Sequence, residues 1–131
     1  MVINQLLLAV DFMQKKNIKH QNLKPENVMF VSKNIDDFSV KITNLGFSSL
    51  CIMDQKYNHT FNRCLFMAPE LVSNCNKNVS IKYNEKMDVW SIGIITHLLL
   101  TGKHPFPYEN NQELERMIAD AHINYSLPHF K

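Results

Sequence analysis

The sequence predicts a mainly α-helical fold that carries one small β-hairpin. Three observations predict it. Apolar residues recur at helical spacing from Val2 to Lys16, and a largely apolar stretch of helix length runs from Val89 to Leu100. Between them, two short β-type runs, Val28–Val31 and Ser39–Ile42, flank a polar stretch from Ser32 to Asp37.

The first helix is expected over Met1 to Asn17, because Ile3, Leu6, Leu7, Val10 and Met13 repeat about every 3.6 residues. Val28–Val31 reads as a short buried strand. Ser39–Ile42 alternates polar and apolar as a half-buried strand does, so a hairpin joins the two. Leu45 to Phe66 shows no period and reads as a long loop, a feature of compact domains that is usually functional. Asn84 to Leu100 is a helix hydrophobic on most sides, stopped at Gly102, where a left-handed backbone suits glycine. His104-Pro105-Phe106-Pro107 forbids helix and marks a turn. Asn110 to Ala121 begins with a cap at Asn110 and Glu113 three residues on, a capping-box signature, and Leu114, Met117, Ile118 and Ala121 share its core face. Tyr125 to Lys131 reads as extended.

Composition excludes several classes. With 131 residues, 45% hydrophobic and 20% charged, the chain suits one globular domain or part of one. The net charge of +2 is spread along the chain, which leaves no basic tract for nucleic acid or a membrane surface. The apolar run at Val89–Leu100 is shorter than the about 20 residues that span a bilayer, and Met1–Val10 lacks the basic leader of a signal peptide. Three cysteines (Cys51, Cys64, Cys75) form no C-x-x-C pair, which reads as reduced thiols in a cytoplasmic protein. The six histidines lack metal-ligand spacing, and the sequons at Asn58, Asn78 and Asn124 read as chance products of an Asn-rich chain.

The chemistry lies in His20-Gln21-Asn22-Leu23-Lys24-Pro25-Glu26-Asn27. This stretch closely resembles the catalytic loop of Ser/Thr protein kinases, H-R-D-L-K-P-E-N. Asn44-Leu45-Gly46 follows at the D-F-G position, Ala68-Pro69-Glu70 at A-P-E, and Asp88-Val89-Trp90-Ser91-Ile92-Gly93 at the start of the family's central helix. Thr101-Gly102-Lys103-His104-Pro105-Phe106 resembles the segment after it. Five ordered matches covering nearly the whole chain identify it as similar to the kinase C-terminal lobe. Its Lys-Pro-Glu-Asn wording and long hairpin are most like the calcium/calmodulin-dependent and calcium-dependent group.

The resemblance implies a kinase-like C-lobe truncated at both ends, residues 1–131 forming a partial domain without the N-lobe or the last C-lobe helices. It implies ATP and magnesium as cofactors and a protein hydroxyl as substrate. Four roles carry over by position. Asn22 stands where the family's catalytic Asp takes the hydroxyl proton, and Asn44 where the D-F-G Asp holds magnesium. Lys24 matches the lysine that neutralises the transferred phosphate, and Asn27 the second metal-binding residue. Val28 and Met29 would floor the ATP pocket.

An amide is essentially non-basic near neutral pH and is a poor ligand for magnesium, so Asn22 and Asn44 argue against proton abstraction and productive Mg-ATP binding. Gln21 replaces the arginine that pairs with a phosphorylated activation segment, here Asn44–Glu70. Asn62-Arg63 replaces the Gly-Thr of the peptide-docking loop, while Glu26 retains a residue that contacts substrate arginine. By the same resemblance, His20 packs beneath Leu45 in the family's hydrophobic column, Asp88 accepts backbone hydrogen bonds from the catalytic loop, and Trp90 and Gly93 pack the central helix. Glu70 would lose its arginine partner.

Three readings stay open at this point: a pseudokinase that binds or scaffolds a protein partner, part of a weak Ser/Thr kinase, and a non-functional kinase fragment. Truncation also implies self-association through apolar surface that the absent lobe would cover.

Overall fold

A computed structural model describes residues 2–45, 64–73, 84–123 and 125. Its elements run in the order α1 (Val2–Lys15), a single 3-10 turn (Pro25–Asn27), β1 (Val28–Phe30), β2 (Val40–Ile42), a second 3-10 turn (Cys64–Phe66), α2 (Pro69–Val72), α3 (Lys86–Thr101) and α4 (Asn111–Asp120). The predicted class is therefore the observed one, mostly helix with one antiparallel two-stranded sheet.

Helix α1 forms where its period placed it and buries Leu6, Val10 and Met13. It ends two residues before the predicted limit. Asn17 turns left-handed (φ 60°), its N–H bonds to the Gln14 carbonyl at 2.9 Å, and the Ile18 N–H reaches back to the Met13 carbonyl at 2.8 Å. That pair of bonds is a Schellman stop, with Asn in the place glycine usually takes. Gln5 ties α1 to the hairpin by donating to the Phe38 carbonyl (2.9 Å) and accepting the Val40 N–H (3.1 Å).

The hairpin pairs Val28 with Ile42, Met29 with Lys41 and Phe30 with Val40. Its strands are a residue shorter than predicted, and β1 is not buried. Val28 packs against the core, but Met29 is 56% and Phe30 60% exposed. An apolar run cannot distinguish a covered sheet face from an uncovered one, and none of the described elements covers this face.

Helix α3 is the centre of the lobe. It packs on α1 through Ile92 and Ile95, which join Leu6, Val10, Met13 and Leu23 in one core cluster. Its other side, through Ile94, meets Val72, Phe106, Leu114 and Ile118 in a second. Gly102 stops it with a left-handed backbone, φ 70°, as predicted. Trp90 stacks on Phe106, with ring centroids 6.3 Å apart and planes 12° from parallel. Gly93 departs from expectation: it is exposed, and a Cβ there would meet nothing within 4 Å, so among the described residues it is not a close-packing site.

Helix α4 is capped by Asn110, whose Oδ1 accepts the Glu113 N–H at 3.0 Å. The reciprocal bond of the predicted box shifts by one residue, because Glu113 Oε2 accepts the N–H of Glu109 rather than of Asn110. Leu114 and Ile118 are fully buried and Met117 half-buried, but Ala121 is an exposed left-handed cap (φ 49°) rather than a core residue.

Short helix α2 is not among the elements the sequence predicts. The pattern was present nonetheless: Pro at the first helical position with an acidic residue in the first turn is a helix start. Glu70, implied by the resemblance to lose its arginine partner, is exposed and is not without a partner. The loop reading of residues 46–63, Asn62-Arg63, Cys51, Cys75, the three sequons and the tail beyond Tyr125 lie outside the described residues. No described helix is long and apolar enough to cross a membrane.

Candidate functional site

The loop from His20 to Asn27 is shaped by α3. Asp88, buried in the first turn of that helix, accepts the His20 N–H at 3.0 Å and the Gln21 N–H at 2.9 Å. Two donors on one carboxylate fix the start of the loop and hold Gln21 in a left-handed conformation, φ 67°. This is the scaffolding role the sequence assigned to Asp88.

His20 is fully buried and braces the loop against the end of β2. Its Nδ1 accepts the Asn22 N–H at 3.3 Å, so the proton sits on Nε2, which donates to the Thr43 carbonyl at 2.9 Å. The ring is thus a structural bridge, as expected. Leu45, predicted to pack above it, is instead 49% exposed; the column the sequence suggested is not closed by the described residues.

Asn27 meets both the Asn44 side chain and the Asn22 backbone carbonyl, through hydrogen bonds that fix the orientation of the Asn27 and Asn44 amides. Asn27 is buried and its Nδ2 donates to the Asn22 carbonyl at 2.8 Å. That leaves Oδ1 as the atom facing Asn44, and an oxygen there can only accept. Asn44 accordingly presents Nδ2, at 2.7 Å. Thr43 adds a second fastening, its N–H donating to the Asn27 carbonyl at 2.9 Å. Asn44 itself is left-handed (φ 62°), a conformation Asn tolerates better than most side chains.

Lys24 is half-buried and extended just before the 3-10 turn, where its carbonyl accepts the Asn27 N–H at 2.9 Å. Glu26 and the Asn22 side chain are exposed, and Met29 lies on the outer face of the hairpin beside Lys41. The loop therefore displays one cation, one carboxylate and one amide to solvent, with no carboxylate at either the Asn22 or the Asn44 position.

These groups do not fit a magnesium site. Magnesium prefers charged oxygens and gives up water reluctantly. Here the Asn27 oxygen is already engaged by a hydrogen-bond donor, and both partners are neutral. No group of three or more His, Cys, Asp or Glu that could hold a metal occurs among the described residues.

Two contacts at the other end of the lobe went unread in the sequence. Ser91 Oγ donates to the Phe66 carbonyl at 2.7 Å, and His104 Nε2 bonds to the Leu65 carbonyl at 2.8 Å. His104 is ringed by Phe66, Phe106 and Tyr108 at centroid distances of 6.3, 5.7 and 5.9 Å. Together these side chains pin the turn before Ala68-Pro69-Glu70 to α3 and to the loop after it. Neither residue has a local signal, since each partner is far away in sequence.

The family model described as protein kinase domain matches residues 1–130. Calcium-dependent protein kinase 4 of Plasmodium falciparum (isolate 3D7) is 31% identical over 130 residues, 99% of this chain and 23% of its own length. Calcium-dependent protein kinase 5 of Plasmodium berghei (strain Anka) is 32% identical over 117 residues, 89% of this chain and 19% of its own. CDPK-related kinase 4 of Arabidopsis thaliana is 31% identical over 124 residues, covering 95% and 20%. The chain thus spans about a fifth of the length of the curated relatives it matches.

Proposed function

The chain belongs to the protein kinase family, close to the calcium-dependent group, and we propose that it is a pseudokinase C-lobe that binds or scaffolds a protein partner without transferring phosphate. One observation carries the reading: amides stand at both positions where phosphoryl transfer needs carboxylates, and the Asn44 amide is spent on Asn27. General-base help is worth about 10²–10⁴-fold in rate, and Asn22 cannot supply it. Weak metal capture at Asn44 would burden the same chemical step. Residues 1–131 correspond in this reading to the part of the domain that carries the catalytic loop, and the cytoplasm is its proposed compartment.

A second reading, part of a weak Ser/Thr kinase, is favoured by the retained Lys24, Glu26 and Asn27. The two separate in a steady-state assay with Mg-ATP and a generic basic peptide. The pseudokinase reading expects no phosphopeptide; turnover that Lys24→Ala abolishes would overturn it.

A further inference from the structure

We infer that the Asn44 carboxamide takes the place of a divalent cation in this lobe, fastening the end of β2 to the catalytic-type loop by hydrogen bonds alone. The bond joins residues 17 apart in sequence, and its acceptor belongs to a side chain only 4% exposed. Two oxygen ligands facing each other repel unless a positive group lies between them. The Asn44 N–H supplies that positive end directly, at 2.7 Å.

The orientation is not interchangeable. Flipping Asn44 would set two oxygens together. Flipping Asn27 would lose its donation to the Asn22 carbonyl and set the two amide nitrogens together. A cation entering here would have to displace a short, part-buried hydrogen bond and would gain only neutral oxygens in exchange. The order of this loop pair is therefore built in and owes nothing to a divalent ion. The inference uses the family assignment for the positions, but it does not depend on whether phosphate is transferred.

Thermal melting of the whole chain in chelator and in millimolar magnesium or manganese tests it, together with manganese titration followed by electron paramagnetic resonance. The native chain should melt at the same temperature in all three and leave the free-manganese signal undiminished. Asn44→Asp should melt lower in chelator, because its carboxylate faces the Asn27 oxygen, and should recover when manganese is added. Asn44→Gly keeps the left-handed backbone but removes the amide. It should melt about 3–5 °C lower with or without metal.

A native chain that is stabilised by the metals, or that takes up manganese stoichiometrically, would overturn the inference. So would an Asn44→Asp variant that melts like the native chain in chelator. Should neither variant fold, the native titration alone decides. A phosphotransfer result of either sign leaves this outcome unaltered, so the two failures can be told apart.

Discussion

Asp88, in the first turn of α3, accepts the backbone N–H of His20 at 3.0 Å across 68 residues of sequence. The same carboxylate takes the Gln21 N–H, so one buried side chain fixes the start of the loop.

Asp88→Ala should therefore cost about 3 kcal/mol, since it strands two inward-facing donors whose unmet bonds cost about 1–3 kcal/mol each. Asp88→Asn should cost less, because one oxygen still accepts. Chemical denaturation of the two variants beside the native chain measures both, and equal losses would show that the one oxygen Asn keeps contributes nothing.

His104→Ala should loosen the far end of the lobe. It removes the bond to the Leu65 carbonyl and the ring shared by Phe66, Phe106 and Tyr108. The expected loss is about 1–3 kcal/mol. Amide exchange should quicken at Cys64–Phe66 while Asn27 keeps its native protection; equal quickening at both would mean that the two ends of the lobe open together.

Gly102→Ala should cost about 1 kcal/mol, because alanine would be forced to φ 70° at the end of α3. Gly93→Ala, on an exposed face with open space around it, should instead stabilise the helix by about 0.5–1 kcal/mol. Melting curves of the pair separate a backbone requirement from a sequence habit.

Self-association of the isolated chain is expected from its uncovered apolar side chains. Leu8 and Phe12 lie one turn apart on α1, 60% and 61% exposed, and the hairpin adds Met29, Phe30 and Val31. Sedimentation at micromolar concentration should show species larger than a monomer, and L8S/F12S should shift them toward monomer without a change in stability beyond about 0.5 kcal/mol. A native monomer would contradict the expectation.

The parts of the fold set by local rules were legible in the sequence. The period of α1, the stop at Gly102 and the cap at Asn110 each depend on residues within a turn or two, and each stands where it was expected. At the site, the hold of Asp88 on the start of the loop was legible from the resemblance. What could not be read depends on neighbours distant in sequence. The orientation of the Asn27–Asn44 pair follows from a third partner, the Asn22 carbonyl, and the tasks of Ser91 and His104 follow from carbonyls 25 and 39 residues away. The exposure of Met29 and Phe30 escaped for the same reason. Apolar character states a preference for burial, whereas burial itself needs another element on top.

Single-turnover transfer from Mg-ATP, with the chain in excess over nucleotide and a basic peptide present, tests the central claim most directly, because it detects even a slow chemical step. If amides at Asn22 and Asn44 have removed the chemistry, phosphate on the peptide will not exceed that from a Lys24→Ala control. Transfer above that control, even far slower than the roughly 1–100 s⁻¹ of working kinases, would contradict it.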